Sequence, residues 1–254
     1  MSVVALPTKA MERGVALVIG GGDRLGALIA RDLSAAGWAL AVTYYQSASH
    51  TAHWVAEVVA AGGAARCYPL DLQHPFAITS ILADVHHHWG PVSLLINNAG
   101  VFLPDHLLYG AEEGWWHMES LFKVTLQGPL WLSMQVAQAM RQTQVSGQII
   151  TIADIWGERP LAGYAAYGAA KAGMIMATQV LARDWAPTIR VNAILPGAVL
   201  PPEEENPGYQ RLLERTPLKD QAGWEGVCQA VRYLLTARFV TGEVLHVDGG
   251  RHLV

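Results

Sequence analysis

Short, predominantly apolar runs, the first of them unbroken, alternate along this chain with longer stretches that read as helical. The first run is Val15 to Ile19, and the others are Ala39 to Thr43, Ala65 to Leu70, Val92 to Asn97, Gln148 to Ile152, Arg190 to Leu195 and Val244 to Val247. Such runs are what a strand needs when both of its faces are covered. The stretches between them, such as Ser49 to Ala61 and Leu121 to Gln142, are long enough for crossover helices. Seven strands alternating with helices predict an α/β fold: a doubly wound parallel sheet with helices on both faces and a ligand site along the carboxyl ends of the strands. No repeat, low-complexity tract or interdomain linker interrupts the pattern, so residues 1–254 read as a single domain with a short tail at 1–13.

One stretch departs from this regularity. PGAVLPPEEENPG, residues 196 to 208, is proline-rich and acidic and cannot be regular helix throughout. Residues 196–223 read as a lid over a substrate or as a solvated surface loop.

The first run leads into GGGDRLG. Gly20, Gly21 and Gly22 allow a tight turn, and Gly26 allows the following helix to pack close to the strand. A turn of this kind points free backbone amides and the positive end of a helix dipole at an anion, here a dinucleotide pyrophosphate. Composition narrows the classes. With 52% hydrophobic and 15% charged residues the chain has the material for a large core, and a net charge of −4 offers no basic surface for nucleic acid. No apolar run reaches the ~20 residues needed to span a bilayer, and the start lacks the pattern of a signal peptide. Neither nucleic acid nor membrane is expected as a partner, and a cytoplasmic location is. Cys67 and Cys228 fit a reducing compartment as small apolar residues.

Candidate chemistry lies in the second half. Tyr167 and Lys171 are four apart in GYAAYGAAK, an alanine-rich segment expected to be helical, so both project from one face. A fixed ammonium beside a phenol favours the phenolate and is expected to draw the tyrosine's pKa from about 10 towards neutrality, as suits a general acid. Asp154 precedes Tyr167 by thirteen residues. His86, His87 and His88 are consecutive and diverge on a helix, so they read as its polar end before Gly90 and Pro91 rather than as metal ligands. Trp115, Trp116, Trp131 and Trp185 read as packing against a core or a subunit interface.

The order of these pieces resembles the short-chain dehydrogenase/reductase family over nearly the whole chain: the glycine turn, Asp71, the NNAG run at Asn97 to Gly100, Tyr167 and Lys171, Pro196 and Gly197, and VTGEVLHVDGG. The resemblance implies a Rossmann-type domain and a nicotinamide cofactor held by Gly20, Gly22, Arg24, Leu25, Gly26, Gln46, Ser47, Asp71, Leu72, Asn98, Ala99, Gly100, Pro196, Gly197 and Val199. By it, Lys171 holds the nicotinamide ribose and tunes Tyr167. It also implies a homo-oligomer, a tetramer assembled through the helices carrying Leu121 to Met140 and Tyr164 to Trp185.

Two departures from the general family pattern narrow the reading. The family's usual serine is here Asp154, and its middle turn glycine is Arg24. A carboxylate would repel the oxyanion formed from a ketone, whereas an acid passing a proton through tyrosine suits a C=N bond. Both departures resemble the pteridine reductases, which share the RLG turn at Arg24, Leu25 and Gly26, the aspartate, and Gly163, Tyr164, Tyr167, Ala170 and Lys171. By that likeness Phe102 would sandwich a pterin ring against the nicotinamide, and Trp156 would stand at the pocket edge. The expected substrate contacts are Arg24, Phe102, Asp154, Trp156 and Tyr167, with no metal. Thr125 replaces the family's water-holding asparagine, and Gln46 stands where pteridine reductases tend to have arginine. With no acid in TYYQSAS to repel a phosphate, NADPH is expected over NADH. The expected activity is an NADPH-dependent pterin reductase. The alternatives are a carbonyl reductase, for example of 3-oxoacyl thioesters, and a cofactor-binding sensor or scaffold with little turnover.

Overall fold

Seven strands form one parallel sheet in the computed structural model, which describes residues 13–110, 112–201, 207–219 and 223–254. They are β1 (Val15–Ile19), β2 (Ala39–Tyr44), β3 (Ala65–Pro69), β4 (Val92–Asn97), β5 (Gly147–Ile152), β6 (Ile189–Pro196) and β7 (Val244–Val247), and they lie side by side in the order β3-β2-β1-β4-β5-β6-β7. Each expected strand is present, with ends that agree to within a residue. The doubly wound fold follows from alternation on two covered faces. In β1, Ala16 and Val18 point into one core and Leu17 and Ile19 into the other. Edge strand β3 is less apolar and exposes Arg66 and Pro69, residues suited to an edge that must not recruit another strand.

Helices α1 (Arg24–Ala35), α2 (Ala48–Ala60) and α8 (Gly223–Thr236) cover one face, burying Ile29, Leu33, Trp54, Val227 and Leu234 against it. Helices α3 (Ile78–Trp89), α5 (Gly128–Gln142) and α6 (Ala165–Trp185) cover the other, with Ile81, Val136, Met140 and Leu181 inside. Because the strand order turns back at β1 and β4, their carboxyl ends open a crevice between two diverging loops.

One expectation needs correction. The helix expected from Leu121 to Gln142 is interrupted: α4 (Glu112–Phe122) passes into a π-helical turn, Lys123–Gln127, before α5 begins. Pro129 has no N–H to offer the Thr125 carbonyl one turn back, so the α pattern cannot run through. Of the four tryptophans read as packing a core or a subunit interface, Trp131 and Trp185 pack against the core, whereas Trp115 and Trp116 are 60% and 55% exposed in the single chain. Within residues 196–223, expected as a lid or a surface loop, Pro207–Glu214 forms helix α7, while residues 202–206 and 220–222 lie outside the described residues, as does 1–12 of the tail. Both cysteines are free, and burial pushes the Cys228 thiol up to about 12. His86, His87 and His88 form the last turn of α3, which ends at Gly90. Among the described residues no helix is long and apolar enough to cross a membrane, and no group of three or more His, Cys, Asp or Glu side chains is placed to hold a metal.

Candidate active site

The crevice at the ends of β1, β2 and β4 is a cleft of about 450 Å³ lined by Gly20, Gly22, Arg24, Gln46, Ser47, Asp71, Leu72, Asn98, Ala99 and Gly100. Its floor is backbone. At Gly20, with φ +68°, a Cβ would lie 2.7 Å from that of Ala99, and at Gly26 a Cβ would run into the Gly20 carbonyl. Both positions therefore require glycine, and the first turn of α1 can lie close to β1 and aim its amides at the cleft. The turn is also held from outside. Gly20 N–H donates to Thr43 Oγ1 (3.1 Å), and the Gly22 carbonyl accepts from Trp54 Nε1 and Thr51 Oγ1, each at 3.2 Å. Sequence reasoning missed these three supports, which no motif marks. Asn98 Nδ2 donates to the Gly20 carbonyl (2.9 Å) and so ties the NNAG segment to the glycine turn. These residues fit a dinucleotide: a side-chain-free floor, a helix N-terminus, and polar groups at the far end of the crevice.

Arg24 adopts φ 47°, left-handed backbone that is unusual for a side chain larger than glycine, and its Nη2 donates to the Pro201 carbonyl at 3.3 Å. It thus stands between the turn and the segment after β6. Not every expected cofactor contact lines the cleft. Leu25 packs instead with the apolar core beneath α1. Pro196, Gly197 and Val199 lie at the end of β6, where Gly197 N–H donates to the Val247 carbonyl at 3.0 Å. Asp71 accepts from Gln73 N–H at 2.8 Å, which braces its carboxylate at the cleft wall.

At the other end of the crevice, β5 leads into Asp154 and α6 delivers Tyr167 and Lys171. Tyr167 Oη donates to Asp154 Oδ2 at 2.6 Å, and Trp156 N–H donates to Asp154 Oδ1 at 3.0 Å. Lys171 is buried and donates through Nζ to the carbonyls of Ile152 (3.2 Å) and Ala153 (3.3 Å). Burial pushes the Asp154 carboxyl above the usual range, against the opposing pull of its bond from Tyr167, the Trp156 amide and the Lys171 charge. It also pushes the Lys171 ammonium down, although the Asp154 charge resists this.

Tyr167 corrects an expectation. Its phenol is pushed up, not drawn towards neutrality, first by burial and then by the Asp154 charge and hydrogen bond. Lys171 Nζ stands 5.8 Å from the centre of the tyrosine ring and directs its donors to backbone, whereas Asp154 is in direct contact. The phenol is therefore held in its protonated form, ready to donate.

Phe102 is half exposed and stacks on Tyr164, with ring centres 4.4 Å apart and 17° between planes, while meeting Tyr167 edge-on at 4.8 Å and 88°. The Tyr164 stack was not foreseen, although both residues stand in the motifs. Trp156 is not a free pocket edge. Its indole packs between two apolar clusters, with the Arg251 guanidinium 5.9 Å from the ring centre. Thr125 is buried in the π-helical turn, where its Oγ1 accepts from Val101 N–H at 3.1 Å. Its hydroxyl thereby anchors the loop that carries Phe102.

The family model described as Enoyl-(Acyl carrier protein) reductase matches residues 23–252. The chain belongs to the short-chain dehydrogenase/reductase family. This short-chain reductase is 31% identical over 245 residues to a 3-oxoacyl-[acyl-carrier-protein] reductase of Synechocystis sp., a match covering 95% of this chain and 98% of the relative. Among solved structures it resembles FolM alternative dihydrofolate reductase 1 from Brucella canis complexed with NADP, with TM-score 0.87, 28% identity, and coverage of 98% of this chain and 97% of that one. It also resembles a single-residue variant of the actinorhodin polyketide ketoreductase with NADPH, with TM-score 0.84, 28% identity, and coverage of 94% and 97%.

Proposed function

We propose that this short-chain reductase is an NADPH-dependent enzyme that reduces a C=N bond in a pterin or a related flat heterocycle. The observation that carries the reading is the 2.6 Å bond from Tyr167 to Asp154, whose carboxyl burial pushes above the usual range. When bound, NADPH supplies the hydride. Tyr167 gives its hydroxyl proton to the substrate nitrogen, and Asp154 returns a proton to the tyrosine. Lys171, fixed by the Ile152 and Ala153 carbonyls, would hold a ribose hydroxyl and offset negative charge on Asp154. Phe102 offers an exposed aromatic surface beside Tyr167 for a planar ring. The likeness to an alternative dihydrofolate reductase supports this chemistry, and the full Asp154, Tyr167 and Lys171 set argues against a scaffold without turnover.

A second reading is favoured by the 3-oxoacyl-[acyl-carrier-protein] reductases among the relatives: reduction of a carbonyl, with protonated Asp154 donating in place of the family serine. Following NADPH oxidation with dihydrobiopterin, dihydrofolate, a 3-oxoacyl thioester and simple ketones side by side separates the two. Turnover of a pterin well above that of every ketone is the expected result, and the reverse ranking overturns the proposal. We also propose a tetramer assembled through α5 and α6, on which Met134, Met176 and Val180 are exposed apolar residues, and a cytoplasmic location.

Cofactor choice gives a separate prediction. Arg24, Gln46 and Ser47 line the cleft beyond β2, and no acidic side chain stands in the segment 43–49 to repel a phosphate. NADPH is expected to bind more tightly than NADH, and Arg24→Ala to narrow the gap by removing a charge-assisted bond of roughly 1.5 to 3 kcal/mol. Titration of both cofactors measures this, and equal affinities in the unmodified protein would remove the argument.

A further inference from the structure

Helix α6 carries both Tyr167 and Lys171, yet Tyr164, its N-cap residue, makes no side-chain cap hydrogen bond. The missing cap comes from another part of the chain. Asp105, in the loop after β4, accepts from Ala165 N–H through Oδ2 at 2.8 Å and from Ala166 N–H through Oδ1 at 3.4 Å. Its own N–H donates to the Gly163 carbonyl at 2.7 Å. One residue thus holds three neighbouring points of the chain, just before the phenol that faces Asp154.

The same loop touches the site twice more. Phe102, three residues earlier, stacks on Tyr164 and abuts Tyr167, and Leu103 packs in the cluster of Leu121, Tyr167 and Ala170. Val101 N–H is anchored in turn to Thr125. Residues 101–105 therefore form a strap across the first turn of α6, fastened at Thr125 on one side and by Asp105 on the other. An uncapped first turn has free amides and frays readily. Here fraying would swing the Tyr167 hydroxyl away from Asp154 and separate Tyr164 from Phe102.

We propose that Asp105 is a positioning residue for the reduction, holding the first turn of α6 so that Tyr167 Oη and the Phe102 and Tyr164 rings keep their relative places. The proposal rests on the reading of Tyr167 as the proton donor and is independent of whether the substrate is a pterin or a ketone. Asp105 does not line the cleft assigned to the cofactor, so its loss acts on turnover and not on NADPH affinity.

The test compares Asp105→Ala and Asp105→Asn with the unmodified protein on whichever of the pterin and ketone substrates it reduces. Asp105→Ala is expected to lower kcat roughly 10- to 100-fold, the scale of a small misplacement of a catalytic group, with NADPH titration unchanged. Asp105→Asn is expected to recover most of the rate, since its single amide oxygen still accepts from Ala165 N–H. Hydrogen exchange gives a readout that needs no substrate. The amides of Ala165 and Ala166 should exchange faster in Asp105→Ala while those in the second half of α6 do not change. An unaltered kcat in Asp105→Ala overturns the proposal. So does a variant that loses NADPH affinity and kcat together without rescue by Asp105→Asn, because that pattern marks a general loss of structure. If Asp105→Ala shows the fast exchange and Tyr167→Phe retains its rate, the reading of the proton donor fails, and with it the role proposed for Asp105.

Discussion

Tyr167→Phe is expected to abolish reduction of every substrate the enzyme accepts, a loss of ~10²- to 10⁴-fold for deleting the acid, while NADPH still binds. The variant removes one hydroxyl and leaves the ring, so the edge-on contact with Phe102 and the packing against Leu121 and Ala170 survive. Lys171→Ala should damage binding and rate together. Its ammonium is buried beside the carbonyls of Ile152 and Ala153, and both would lose their donor. The measurements are kcat at saturating NADPH and a direct cofactor titration. If Tyr167→Phe kept most of its rate, the proton would have to come from elsewhere, and Asp154, which the hydroxyl now covers, is the first group to examine.

Asp154→Ser is expected to have the second-largest effect, and a selective one. Pterin turnover should fall by ~10²- to 10⁴-fold, while activity on simple ketones is kept or improved, because serine offers a neutral donor to a developing oxyanion. The pH profile carries the sign. Burial holds the Asp154 carboxyl above the usual range, so the protonated form proposed to resupply Tyr167 persists to higher pH than an exposed aspartate would allow. Pterin turnover should therefore fall as pH rises through that titration, and the limb should vanish in Asp154→Ser. An enzyme that ignores every pterin offered and loses ketone activity in Asp154→Ser would sink the pterin reading while leaving the family intact. Phe102→Ala adds a milder check: a higher KM for a flat ring, by the roughly 0.5 to 1.5 kcal/mol of a stacked pair.

Much of the fold was legible because its signals are local. A strand covered on both faces is apolar at most positions, so β1 and β4 could be bounded from VALVI and VSLLIN, where only Ser93 and Asn97 interrupt the apolar pattern. The π-helical turn at Lys123–Gln127 was not legible. Pro129 stands just past it, yet whether a proline bends, ends or bulges a helix depends on what packs beside it.

The candidate site divides the same way. The sequence by itself determined which chemical groups are available and that Tyr167 and Lys171 share a helix face, since four residues span one turn. Only the tertiary structure decided which group touches which. It set Asp154, just past β5, against Tyr167, turned Lys171 onto backbone carbonyls and raised the phenol instead of lowering it. It packed the partly buried Trp156 against two apolar clusters, laid Phe102 on Tyr164, and brought Asp105 from a loop sixty residues away to cap the helix that carries Tyr167 and Lys171. Local spacing along a chain fixes direction within one element. Desolvation and contacts between elements depend on how the whole sheet and its helices close, and they decide where the protons lie.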